Sequence, residues 1–182
     1  MKRVTLVLGG ARSGKSRHAE GLARRHKGRL VYIATGEITD DEMRLRIERH
    51  REDRGAKWMT IEAPLDLVAA LQEADHTSAL ILVECITMWI NNLIYHGMDV
   101  AAQVRRLCGA LPEMRGQIVI VTNEVGLGIV PDNALARAFR DEAGRANQAL
   151  AEIADEVLFI AAGLPMTLKK ARPARRKGRS KG

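Results

Sequence analysis

The chain has 182 residues, enough to bury one core but few for two domains. Apolar residues make up 46%, which excludes a disordered chain, and aromatics only 3%, which argues against base-stacking platforms for single-stranded nucleic acid. The net charge of +7 is concentrated in KKARPARRKGRSKG (169–182), which holds eight basic residues and no acid; the remainder carries 21 basic against 22 acidic residues. A near-neutral body with a basic tail does not read as a nucleic-acid-binding surface. The tail is expected to be disordered and solvated without a role, in preference to a loose contact with an anionic partner. Two cysteines, Cys85 and Cys108, are too few for a disulfide framework and fit a reducing, cytoplasmic setting. The opening apolar run VTLVL is too short for a signal-peptide core, and no stretch reaches the length of a membrane span.

In chain order, RVTLVL (3–8) is a β-branched strand ending at glycines, and a helical stretch follows to about His26. LVYIAT (30–35) is a second strand. DDEMRLRIERHRED (40–53) has helical spacing with acids in its first turn, as suits a helix N-terminus. KWMTIE (57–62) is a short strand, and a helix runs from Leu65 to Ala74 after Pro64. ALILVE (79–84) is continuously apolar, as in a strand buried on both faces. Residues 86–95 and 99–111 read as helices, and QIVIVT (117–122) as another buried strand. The long helix 133–154 places Leu135, Phe139, Ala146, Leu150 and Ile153 on one face. EVLFIA (156–161) reads as the last strand. Strand and helix in alternation predict an α/β fold with a mostly parallel central sheet, in one domain over residues 1–168.

GGARSGKS (9–16) fits G-x-x-x-x-G-K-S, preceded by a strand and followed by a helix. Glycines let the backbone curl so that several N–H groups point at phosphate oxygens, and the helix dipole adds to the attraction. The segment Gly9, Gly10, Ala11, Arg12, Ser13, Gly14, Lys15 and Ser16 is therefore the expected phosphate cradle. Lys15 supplies a mobile charge for the terminal phosphates, and Ser16 a hydroxyl for Mg²⁺. The expected acid on a second buried strand is Glu84, although Asp is the commoner residue there; its alternative role is a cap on the following helix. The other strands end in Ala34–Thr35–Gly36, Glu62 and Thr122–Asn123–Glu124. Ligands of an open α/β sheet bind beyond the carboxyl ends of the strands, so all of these point to one site. The motifs N-K-x-D, HRD and DFG are absent, and the D-x-x-G at 141–144 falls inside the helical pattern 133–154 rather than after a strand, which argues against a small regulatory GTPase and a protein kinase.

RIERHREDR (46–54) sets one histidine, His50, among four arginines. Met43, Ile47 and His50 share a helical face, so His50 reads as the top of an inward stripe with the arginines turned outward. The other reading is a nucleophile: a neutral imidazole attacks an α-phosphate and forms a phosphoramidate, while arginines clamp phosphate oxygens. The residues alone leave both open and favour the first.

Taken together, GGARSGKS, IATGEITDDEM with RIERHREDR, LILVECIT, and VTNEVGLGIVP with RDEAGRANQ resemble the bifunctional adenosylcobinamide kinase / adenosylcobinamide-phosphate guanylyltransferase family of cobalamin biosynthesis, from about residue 3 to residue 168. The resemblance implies a RecA-like P-loop fold, a homotrimer, and GTP, ATP and Mg²⁺ as cofactors. It implies phosphorylation of adenosylcobinamide, then transfer of GMP from GTP to adenosylcobinamide phosphate with release of pyrophosphate. It makes His50 the guanylyl carrier and sets Arg51, Glu52, Asp53, Arg54, Ala34, Thr35, Gly36, Glu62 and Glu84 near the nucleotide. Nucleic acid and a membrane span have no place in it. Two other readings stand beside it: a plain P-loop small-molecule kinase with a structural His50, and a RecA-like nucleic-acid binder using the basic tail.

Overall fold

The computed structural model describes residues 3–37 and 57–170. The predicted helix 40–53, with His50, Arg51, Glu52, Asp53 and Arg54, and the tail from 171 onward lie outside the described residues. Seven strands form one sheet: β1 (Arg3–Gly9), β2 (Arg29–Ala34), β3 (Trp58–Glu62), β4 (Ala79–Glu84), β5 (Gln117–Asn123), β6 (Glu156–Ala161) and β7 (Leu164–Lys169), in the order β3-β2-β4-β5-β1-β6-β7. The first six run parallel, as the alternating pattern predicts. Five helices are described: α1 (Lys15–Ala23), α2 (Leu67–Ala74), α3 (Ile86–Tyr95), α4 (Val100–Ala110) and α5 (Ala134–Ile153).

Side chains alternate across each strand, so one sequence feeds two cores. Val4, Leu6, Ile33, Ile81, Val83, Ile118 and Ile120 face α2 to α5 and form the larger core. Val7, Leu80, Leu82, Val119, Val121 and Ile160 face the other way, onto Ala19 and Ala23 of α1. Short polar residues start three of the helices. Asp66, Asp99 and Asn133 accept the backbone N–H of Ala69, Ala102 and Ala136, which satisfies donors that the first helical turn leaves free.

Two expectations need correction. EVLFIA is not the last strand, because β7 pairs antiparallel with β6 and takes in Lys169, the first residue of the basic run. The connecting Ala162 and Gly163 both have positive φ, 51° and 79°, as a two-residue hairpin turn requires. Lys169 Nζ donates to the carbonyls of Ala151 and Glu152 in the last turn of α5, where a cation is favoured. Leu135 does not join the inward stripe of α5. Ala146 and Leu150 are buried and Phe139 and Ile153 pack against the core, but Leu135 is 67% exposed. A helix of 20 residues is about 30 Å long, whereas a seven-residue strand spans about 23 Å. Because α5 ends where β6 begins, its excess length projects past the carboxyl ends of the strands.

The opposite end of the sheet is tied by Asp75, at the C-terminus of α2. Its carboxylate accepts the N–H groups of Arg115 and Gly116 and the Arg115 Nε–H, at 2.8 to 3.0 Å. Burial raises the Asp75 pKa, but these donors and the Arg115 charge outweigh it, so the folded-state value lies below the ordinary one. A lowered carboxylate pKa adds stability that is fully present above the unfolded value, near 4, and is lost as pH falls through the folded value. Asp75→Ala is expected to cost about 2 kcal/mol at neutral pH by urea denaturation, with the difference from the parent narrowing in acid.

Candidate active site

The phosphate loop is shaped by close approaches that only glycine allows at two positions. A Cβ on Gly9 would lie 2.6 Å from the Ile160 carbonyl, so the chain leaves β1 pressed against β6. Gly14 has φ 95°, and a Cβ there would meet the backbone of Gly163 at 3.2 Å. The Gly163 N–H donates to the Ser13 carbonyl at 2.8 Å, so the β6–β7 turn holds the loop from behind. Arg12 also has positive φ, 55°, and the reversal curls this segment into a concave backbone.

Lys15 opens α1 and is 8% exposed, with its Nζ donating to the Gly10 carbonyl at 3.3 Å. The ammonium thus lies across the mouth of the loop. Ser13 Oγ is buried without a hydrogen-bond partner among the described residues. An unpaired hydroxyl and a concave run of backbone N–H groups fit an anion such as a phosphate.

Ser16 Oγ donates to Glu84 Oε1 at 2.6 Å, across 68 positions of sequence. The N-cap position of the next helix, α3, is Cys85 rather than Glu84, and the Cys85 side chain makes no capping hydrogen bond. A hydroxyl and a carboxylate side by side next to a phosphate cradle are hard oxygen ligands of the kind Mg²⁺ takes, and Mg²⁺ keeps several waters and needs few protein ligands. The Glu84–Cys85 peptide bond is cis. Burial pushes the Cys85 thiol pKa up, and the Glu84 carboxylate adds to that, so this cysteine stays a neutral, inert thiol.

The remaining predicted residues spread along the same edge. Ala34 ends β2 and Thr35 and Gly36 follow it, three strands from β1, or about 14 Å at ordinary strand spacing; Glu62 ends the edge strand β3, about 19 Å away. The Thr35 side chain is fully buried, its Oγ1 accepting from the Cys85 N–H and donating to the Cys85 carbonyl. Its hydroxyl braces the end of β4 rather than facing a ligand.

Sequence reasoning missed the polar braces behind this edge. Asn92 of α3 is buried, and its Nδ2 donates to the carbonyls of Thr35 and Pro64. Thr87 Oγ1 accepts the Asn123 N–H, Thr122 Oγ1 donates to Asn147 Oδ1, and Asn147 Nδ2 donates to the Asn123 carbonyl. Together they fix the ends of β2, β4 and β5 to the helices. Asn92 inside the apolar run WINNLIY was the available signal, since a buried amide needs partners.

Beyond β5, a cavity of about 740 Å³ opens between the phosphate loop, the β5–α5 connection and the β6–β7 turn. Its walls include Gly10 to Ser13, Glu124, Leu127, Gly128, Phe159 and Ala162. Among the described residues no group of three or more His, Cys, Asp or Glu side chains is placed to hold a metal, and no helix is long and apolar enough to cross a membrane.

The family model for cobinamide kinase / cobinamide phosphate guanyltransferase matches residues 5–168. The chain belongs to that family. It is 45% identical over 166 residues to the bifunctional adenosylcobalamin biosynthesis protein CobP of Pseudomonas aeruginosa, covering 90% of this chain and 96% of that one. It is 42% identical over 181 residues to the corresponding CobU protein of Escherichia coli K12, covering 91% and 99%. The family's two activities, kinase and guanylyltransferase, make this chain a transferase of adenosylcobalamin biosynthesis. Distant solved structures share its fold alone. A Pyrococcus horikoshii protein superposes with TM-score 0.58 at 11% identity, covering 94% of this chain and 88% of that one. The P4 protein of bacteriophage phi6, solved with ADP, gives 0.51 at 16%, covering 93% and 56%.

Proposed function

We propose that one phosphate cradle serves both reactions and that they differ in the attacking group. The carrying observation is the Ser16–Glu84 hydrogen bond, which joins the phosphate loop to the end of a central strand. GTP lies with its phosphates on the backbone N–H groups of residues 12–16 and Lys15 on the terminal phosphates. Ser16 and Glu84 would hold Mg²⁺, which when bound would supply positive charge against the phosphate oxygens.

In the first reaction the side-chain hydroxyl of adenosylcobinamide attacks the γ-phosphorus of ATP or GTP. The new O–P bond forms as the bridging bond to the β-phosphate breaks, the nucleoside diphosphate leaves, and the hydroxyl proton is lost. In the second, the neutral imidazole of His50 attacks the α-phosphorus of GTP and pyrophosphate leaves. Adenosylcobinamide phosphate then attacks the guanylyl-histidine, forms the P–O–P bridge and frees the imidazole. Arg51 and Arg54 clamp phosphate oxygens, with Glu52, Asp53, Ala34, Gly36 and Glu62 about the rest of the nucleotide.

The working form is a homotrimer, as the family resemblance implies; Leu164, Met166 and Leu168, which β7 leaves 70%, 56% and 61% exposed, offer an apolar edge for a contact between copies. A cytoplasmic location is supported by two free cysteines.

The intermediate is tested with GTP labelled in turn at the α- and γ-phosphates, incubated with protein and Mg²⁺ without corrinoid, then denatured. Acid-labile, base-stable protein label from the α-position alone is the expected result. Absence of α-label on protein that binds GTP makes His50 structural and the guanylyl-histidine wrong.

A further inference from the structure

We propose that the β5–α5 connection, residues 125–131, together with Leu135 on the overhanging start of α5, is the seat of the corrinoid acceptor. It rests on the family's kinase activity and not on the His50 intermediate. Leu127, Ile129, Val130 and Leu135 are 81%, 97%, 63% and 67% exposed. Four large aliphatic side chains within nine positions, all turned to solvent, form a patch of the kind that marks an interaction site.

The display is built. The Glu124 carboxylate accepts the N–H groups of Gly126 and Leu127, at 2.7 and 3.1 Å, and the Glu124 N–H donates to the Gly9 carbonyl at the root of the phosphate loop. At the other end the Arg137 guanidinium donates to the carbonyls of Pro131 and Asp132, and Asn133 caps α5. These bonds anchor the connection at both ends, and Leu127, Ile129 and Val130 between them stay exposed.

Position chooses the occupant. Leu127 and Gly128 line the 740 Å³ cavity whose opposite wall is Gly10 to Ser13. The kinase reaction needs an acceptor hydroxyl beside the terminal phosphate while the rest of the acceptor lies outside the cradle. Cobinamide is a broad macrocycle with apolar faces, a rim of uncharged amides, and the reacting hydroxyl on a flexible arm. A cavity of this size takes the arm and one edge of the ring, and the exposed aliphatic patch continues outward under the remainder.

The test measures phosphorylation of cobinamide by the full chain carrying Leu127→Ser, Ile129→Ser or both. The pair is expected to raise the cobinamide KM roughly tenfold or more, with the nucleotide KM within twofold, and Ile129→Leu is expected to restore it. A rise in the nucleotide KM instead would assign the cavity to the base and overturn the proposal. So would an unchanged cobinamide KM, or a smaller particle by light scattering, which would make the patch a contact between copies. Hydrogen exchange on the unmodified protein checks the same claim without substitution. Added cobinamide alone is expected to slow the amides of residues 126–130, and unaltered exchange there contradicts the proposal.

Discussion

Lys15→Ala is expected to lower both the phosphorylation and the guanylylation rate about a thousandfold, the upper range for removing one preorganised charge from a phosphoryl-transfer site. The fold is expected to survive, because the change removes a nearly buried ammonium that donates to the Gly10 carbonyl and installs a better helix former at the first position of α1. A melting temperature equal to or above the parent's, with both rates lost together, is the combined signature. It separates a charge acting on phosphate from a side chain that merely fills space. If guanylylation persisted while phosphorylation fell, the second reaction would need a nucleotide site of its own.

Glu84→Gln is the second large effect. The amide keeps the shape and can still accept from Ser16 Oγ, so the 2.6 Å contact between strand and loop is retained while the charge is lost. If the carboxylate holds Mg²⁺, the apparent Mg²⁺ requirement rises roughly 10- to 100-fold, and excess Mg²⁺ recovers part of the rate. Ser16→Ala is expected to act in the same direction, and the double variant to lose less than the two single losses combined, because the residues share one function. A rate loss in Glu84→Gln that Mg²⁺ cannot shift would make the acid a brace for the loop.

These two residues were legible in the sequence for a physical reason. The phosphate loop needs a fixed spacing of glycines, a Lys and a Ser directly after a strand, and a strand buried on both faces announces its own end by its first charged residue, Glu84. The six parallel strands were legible because their runs are short, mostly apolar and rich in β-branched residues. The antiparallel β7 was not, although LPMTLK alternates apolar residues after a glycine turn; its last residue, Lys169, opens the basic run and so reads as tail. Leu135 was misassigned because helical periodicity says which face a residue lies on and not whether the helix outruns the sheet. Asn92 inside an apolar run hints at a buried amide but not at its partners, and the braces made by Thr35, Thr87 and Asn147 leave no pattern, since each bonds backbone or side chains far along the chain. Hydrogen bonding of that kind is set by topology rather than by neighbours in sequence.

The most direct test of the central claim, one cradle with two attacking groups, is to supply His50→Ala protein with adenosylcobinamide, GTP and Mg²⁺ and identify the corrinoid products. The account predicts that adenosylcobinamide phosphate accumulates at close to the parent rate and that adenosylcobinamide-GDP does not form. Continued formation of the GDP product at an undiminished rate would mean that the phosphorylated acceptor attacks GTP directly, and that His50 carries nothing.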